Sequence, residues 1–234
     1  MKTDGLGGVM AAETHPPMRS YGRIKSRPIK PRQAGLFASL LPKLAIADGP
    51  IDAGALMPDA REVWLEIGFG GGEHLAAQAA RHPDVLLLGA EPFLNGVASA
   101  LRHIDEQRLS NIRLRQGDAR QLLIDLPDAS LTRVFILFPD PWPKARHHKR
   151  RLIQPQALTE LARVLRPGGT LRFATDWADY AAWTLAHVAA SPRFAWTAER
   201  AEDWRARPAD HFATRYELKR LGDCAPVFLD FARR

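Results

Sequence analysis

The chain has 234 residues, 46% hydrophobic and 25% charged, the balance of a globular and not a disordered chain, with length enough for a substantial core. One cysteine, Cys224, excludes an internal disulfide framework and a multi-cysteine zinc site. The longest apolar runs, Val85–Ala90 and Val134–Phe138, fall short of the roughly 18 residues of a membrane helix. The N-terminus lacks the run of about 7–15 apolar residues of a secretory signal, so the expectation is a soluble, cytoplasmic chain.

The net charge of +7 is unevenly spread. Arg19–Arg32 holds six basic residues and no acid, and Lys144–Arg151 (KARHHKRR) holds five with two histidines and no acid. Without those eleven, 22 basic residues face 26 acidic ones, a net −4. An acidic body with two basic stretches suits a polyanion held at a defined place.

Residues 1–35 mix Gly, Pro and basic residues without a sustained period and read as a basic, flexible arm; residues 36–234 read as one catalytic domain. Leu36–Leu41 opens a first helix, and Pro50–Ala60 is turn-rich. Short apolar runs then alternate with helical stretches. Strands are expected at Val63–Ile67, Val85–Glu91, Ile112–Gln116, Leu131–Phe138 and Thr170–Ala174. Helices are expected at Glu73–Arg81, Phe93–Gln107, Ala119–Leu126, Leu152–Leu165 and Trp177–Ala190. Phe212–Lys219 and Pro226–Phe231 read as a final antiparallel strand pair joined by the Leu221-Gly222-Asp223 turn. The alternation predicts an α/β, doubly wound, mostly parallel Rossmann-like sheet, with ligands beyond the carboxyl ends of its strands.

The first strand runs into Glu66-Ile67-Gly68-Phe69-Gly70-Gly71-Gly72-Glu73. Gly68, Gly70 and Gly72 permit a sharp turn and close approach to a ligand. A dinucleotide fingerprint would place its last glycine where Glu73 stands, and a carboxylate there opposes a pyrophosphate. The acid-x-Gly-x-Gly-x-Gly order instead resembles motif I of the class I S-adenosylmethionine-dependent methyltransferases. Glu91 ends the second strand, where a carboxylate can accept ribose hydroxyls, and Asp118 follows the third, where that family places an acid near the adenine. The resemblance implies Glu66, Gly68, Gly70, Gly72, Glu91, Asp118 and Asp140 as cofactor-binding positions for S-adenosyl-L-methionine.

The fourth strand leads into Pro139-Asp140-Pro141-Trp142-Pro143-Lys144. Two prolines stiffen the backbone around Asp140. This segment, the basic run Arg146–Arg151, Thr175-Asp176-Trp177 and Thr214-Arg215-Tyr216-Glu217 together resemble the bacterial tRNA (guanine-N7-)-methyltransferases over about residues 19–231. The resemblance implies methyl transfer to N7 of a guanosine in tRNA, at position 46 of the variable loop. Asp140 is then the catalytic candidate, acting through its charge or as a hydrogen-bond acceptor. Lys144, Asp176, Thr214, Arg215, Tyr216 and Glu217 are the implied substrate-binding residues. Arg146, His147, His148, Lys149, Arg150 and Arg151 are the RNA-binding stretch. Trp142 and Trp177 have rings that can stack on a base, but tryptophan is more often core, so neither is assigned that role. His147 and His148 lack a Cys or acid beside them, so no metal is assigned. Other acceptors, another RNA or a small molecule, remain open, as do monomer and homodimer.

Overall fold

β1 (Glu62–Ile67) shows how the sheet is built. Val63, Leu65 and Ile67 point into one core and Trp64 into the other, the period-2 alternation of a strand covered on both faces. The computed structural model describes residues 28–234. Among them β1, β2 (Val85–Glu91), β3 (Ile112–Gln116), β4 (Leu131–Leu137), β5 (Leu165–Thr175), β6 (Phe194–Trp196) and β7 (Val227–Arg233) form one sheet in the order β3-β2-β1-β4-β5-β7-β6. The neighbours from β3 to β5 pair in parallel, and β7 runs antiparallel between β5 and β6.

Helices cover both faces. α4 (Glu73–Arg81) and α5 (Leu94–Gln107) press Leu75, Ala79, Val97, Leu101 and Ile104 onto one side. α6 (Ala119–Asp125), α7 (Pro155–Val164) and α8 (Ala178–Ala189) press Leu122, Leu158, Leu161, Tyr180 and Val188 onto the other. The strand order reverses at β1, which lies between β2 and β4. That switch point opens a crevice at the carboxyl ends.

Several expected boundaries move. The first helix, α1 (Pro31–Ser39), begins inside the stretch assigned to the arm; Pro31 fits an N1 position, and Arg32 is paired with Asp105 and Glu106 at 3.5 and 3.3 Å. The short α2 (Leu41–Leu44) follows it, and the turn-rich segment holds the short α3 (Ala53–Leu56), capped by Asp52. Arg19–Arg27 lie outside the described residues. α7 starts at Pro155 rather than Leu152, because the Leu152 and Ile153 amides donate to the Tyr180 hydroxyl at 3.1 and 3.4 Å and stay out of helix. β5 extends back to Leu165, and its register with β4 shifts between Leu131 and Arg133.

Phe212–Lys219 is not a strand. After α9 (Glu202–Arg205), residues Arg215–Lys219 form helix α10, with Thr214 as N-cap accepting the Glu217 amide at 3.2 Å. The antiparallel partners of β7 are instead β5 and the short β6. A Thr-x-x-Glu run at 214–217 is a helix-start signal, and it outweighed the β-favouring Phe212 and Tyr216.

Candidate active site

The crevice is a cleft of about 550 Å³. Glu66, Gly68, Gly70, Glu91, Asp118, Asp140, Thr214, Arg215 and Tyr216 line it, along with Trp142 and Arg150. The loop after β1 turns through left-handed backbone at Gly68 (φ 71°) and Gly70 (φ 54°), and a Cβ at either would meet nothing within 4 Å. Both glycines therefore leave space that a side chain would fill. Gly72 does different work from the one expected. A Cβ there would come within 2.6 Å of Ala100 Cβ, so Gly72 lets α4 start close against α5 and does not line the cleft.

Five carboxylates line this space: Glu66, Glu73, Glu91, Asp118 and Asp140. Glu66 is 2% exposed and its Oε2 takes a hydrogen bond from His74 Nδ1 at 2.8 Å. Glu91 accepts the Gly70 amide and the Phe93 amide, both at 2.8 Å, which fixes it to the glycine loop. Burial pushes the Glu91 carboxyl up, against those two hydrogen bonds, and the charges of Asp140 and Glu66 push it further. Asp140 is open to solvent in the cleft, yet the cleft walls raise its carboxyl too. The raised carboxyls of Glu91 and Asp140 favour a cationic ligand, which offsets the cost of holding their charge. Asp118, by contrast, already has a cation: it caps α6 through the Arg120 amide and pairs with the Arg120 guanidinium at 2.8 Å.

The wall opposite is the loop after β4. Phe138 (φ 51°) and Trp142 (φ 45°) both sit in left-handed backbone, on either side of the Pro139-Asp140-Pro141 triplet. Each such residue costs about 1–2 kcal/mol, so the loop needs support. Arg151 supplies it. Its side chain is 1% exposed, donates to the Pro141 carbonyl at 2.9 Å, pairs with Asp179, and lies over the rings of Tyr180 and Trp183.

A family model described as a putative methyltransferase matches residues 60–224. A tRNA (guanine-N(7)-)-methyltransferase of Caulobacter vibrioides is 62% identical over 221 residues, covering 94% of this chain and 97% of that one. Its counterpart in Hyphomonas neptunium is 52% identical over 219 residues, covering 93% and 100%. The chain belongs to the tRNA (guanine-N(7)-)-methyltransferase family. Its fold also resembles a solved 16S rRNA (adenine(1408)-N(1))-methyltransferase mutant from Catenulisporales acidiphilia, with TM-score 0.54 at 17% identity, covering 80% of this chain and 97% of that one. Among the described residues no helix is long and apolar enough to cross a membrane, and no group of three or more His, Cys, Asp or Glu could hold a metal ion.

The basic run divides. After Lys144 it forms a 3₁₀ turn, Ala145–Arg150, and Lys144, Arg146 and Lys149 are exposed. Arg150 lines the cleft with its guanidinium 4.9 Å from the Trp142 ring centroid. His147 packs edge-on against Trp142. Arg151 and His148 depart from the expected RNA-facing role. Arg151 braces the loop, and His148 turns inward to Asp179 at 3.5 Å and to Trp183.

Two implied substrate residues, Asp176 and Glu217, are buried and do not line the cleft. Asp176 is 3% exposed, does not line the cleft, and pins the 222–224 turn by accepting the Gly222 amide at 2.9 Å while its carbonyl accepts the Cys224 amide. Glu217 is spent on Arg207 and on His211 Nε2 at 2.8 Å. Its neighbours Thr214, Arg215 and Tyr216 do reach the cleft, where Arg215 approaches Glu73 at 3.4 Å and Tyr216 packs against Phe138. Sequence reading missed His74, Gln78 and His211. A histidine and a glutamine at i and i+4 after a glycine turn look like surface helix residues, and nothing local marks them as buried.

Proposed function

We propose that this chain transfers a methyl group from S-adenosyl-L-methionine to N7 of a guanosine in tRNA, at position 46 of the variable loop, in the cytoplasm. The observation that carries the reading is a single cleft holding Glu66, Glu91 and Asp140 together, whose Asp140 wall continues into an outward-facing row of cations. The cleft fits the cofactor. Gly68 and Gly70 leave room for close approach, Glu91 has acceptor oxygens for ribose hydroxyls, and Glu66 offers an anion for an ammonium group.

When bound, S-adenosyl-L-methionine supplies an electrophilic methyl on a sulfonium centre. The protein needs no general base for this acceptor, because guanine N7 presents a lone pair and no proton. As N7 becomes bonded, positive charge grows on the purine. A carboxylate held nearby stabilises that charge more than the neutral starting base, which is the condition for catalysis. Asp140 occupies that role. At ~4 Å and an effective dielectric near 20, a full charge pair is worth up to about 4 kcal/mol, and partial charge at the transition state makes tens- to a hundred-fold in rate the expected gain.

Arg150, stacked on Trp142 at the cleft, and Lys144, Arg146 and Lys149 beyond it meet the phosphates that flank the target base. The base must leave its stack, at a cost of a few kcal/mol that phosphate contacts offset. With about four phosphates neutralised, log affinity against log salt should fall with a slope near −3. Incubation of the full chain with methyl-labelled cofactor and bulk tRNA, followed by nucleoside digestion, should yield labelled 7-methylguanosine. Label in another nucleoside, or none, overturns the reading.

A further inference from the structure

Beneath the cleft lies a chain of buried polar contacts that the methyl transfer itself does not use. His74 is fully buried. Its ring is surrounded by Glu66 from β1, Gln78 from its own helix, Phe135 from β4, and His211 and Phe212 from the segment before α10. Gln78 Nε2 donates to the Asp210 carbonyl at 2.7 Å and stands 3.1 Å from His74 Nε2.

The protons in this chain follow from chemistry. A carbonyl oxygen can only accept, so Asp210 forces the amide nitrogen of Gln78, not its oxygen, to that side. The same nitrogen then points its second proton at His74 Nε2, which must be a bare acceptor. The ring proton therefore sits on Nδ1, where it donates to Glu66 Oε2. Adding a proton to Nε2 would set two N–H groups against each other.

We propose that the Asp210 carbonyl and the Gln78 amide lock His74 as the neutral Nδ1–H tautomer, so that Glu66 is oriented at the cleft without losing the negative charge that holds the cofactor's ammonium group. An arginine or lysine in the place of His74 would orient Glu66 equally well but would cancel it. A neutral donor orients and leaves the charge for the ligand. The chain's far end is rigid: the Asp210 side chain is clamped by Arg133 at 2.7 Å and Arg172 at 2.6 Å. It also lies on the segment that leads into the Thr214 cap. His74 and Gln78 are positioning residues, and the proposal rests on reading Glu66 as the ammonium anchor.

The test has two arms. Nitrogen-15 NMR of the imidazoles in the full-length, ligand-free protein, assigned with His74→Asn, should show His74 protonated at Nδ1 and bare at Nε2 at neutral pH. A ring protonated at Nε2, or at both nitrogens, overturns the proposal. Calorimetry then measures cofactor affinity. Glu66→Gln should weaken S-adenosyl-L-methionine by about tenfold or more. Gln78→Met should weaken it by about three- to tenfold with the KM for tRNA unchanged. His74→Asn, which keeps an N–H near the Nδ1 position, should bind within about threefold of the parent, whereas His74→Leu should lose about tenfold. Methylthioadenosine, which lacks the ammonium group, should bind the parent and Gln78→Met equally. Unchanged affinity in Glu66→Gln would reject the anchor reading. A large loss in Glu66→Gln with none in Gln78→Met, or an equal loss for methylthioadenosine, would reject the relay.

Discussion

The two walls of the cleft hold their carboxylates by opposite means. On the cofactor side, Glu66 and Glu91 stand in strands β1 and β2, buried, with backbone amides or an imidazole fixing their oxygens. On the proposed acceptor side, Asp140 stands in a loop, open to solvent, flanked by two prolines and two left-handed residues. The first wall is precise because it is packed, as sheet and helix termini usually are. The second is stiff yet reachable by a large substrate, and it depends on a brace behind it, the buried Arg151.

That contrast can be broken by experiment. The largest effect is expected at the brace. Arg151→Ala removes a buried guanidinium from between Pro141, Asp179 and two aromatic rings, and should cost about 2–4 kcal/mol in a denaturant titration. Arg151→Lys should recover little, because the planar stack and fork are lost. A loss below 1 kcal/mol on the same scale as typical surface changes would mean that the loop supports itself.

Next is the carboxylate that the loop presents. Asp140→Asn should lower turnover by about ten- to a hundred-fold, more than it weakens cofactor binding. On the proposed electrostatic role the charged form is the active one, and the cleft walls raise its carboxyl. Turnover in the parent should therefore fall, as pH drops, from a point above the usual aspartate range, and this acid limb should vanish in the variant. An identical limb in both would assign it to another group.

A smaller effect belongs to the packed side. Burial alone would raise the Asp210 carboxyl, but hydrogen bonds from Arg172 and Arg133 outweigh it and hold it at about 2, against an ordinary 3.8. A depressed carboxyl stabilises the fold above its unfolded value, and the gain is lost as pH falls from about 4 towards 2. Because the group is partly exposed and screened, Asp210→Asn should cost about 1–2 kcal/mol at neutral pH and nothing further once Asp210 is protonated. A loss that persists at pH below 2 would point to packing instead of charge.

The smallest effect is on the surface. Lys149→Ala should raise the KM for tRNA by a few-fold and lessen the salt slope by about one. An unaltered slope would mean that this face does not meet the RNA.

How much of this could be read from the sequence follows from the same contrast. The strands β1, β2 and β4 were legible because burial on two faces writes apolar runs, β3 (IRLRQ) because it alternates, and the glycine loop because left-handed turns favour glycine. Asp140 and its prolines were legible as a motif. The α10 turn was not, since Phe212 and Tyr216 mimic a strand, and only the Thr214–Glu217 capping spacing betrayed it. The fates of Arg151, Asp176 and Glu217 were hidden for a different reason. A charged side chain is assigned to solvent by default, and what buries these three comes from α8, from the 222–224 turn, and from Arg207 with His211. Such partners are distant in sequence or wear no local signal. The His74–Gln78–Asp210 chain is the extreme case, spanning 132 residues between its last two members.

The central claim is that a lone pair on a purine nitrogen is the acceptor. It is tested most directly with a tRNA carrying 7-deazaguanosine at position 46, which keeps the base's shape and pairing edge but has carbon where N7 would be. The account predicts that this tRNA still competes with the natural one for binding and accepts no methyl label. Labelling of the deaza tRNA to the extent of the natural one would contradict it.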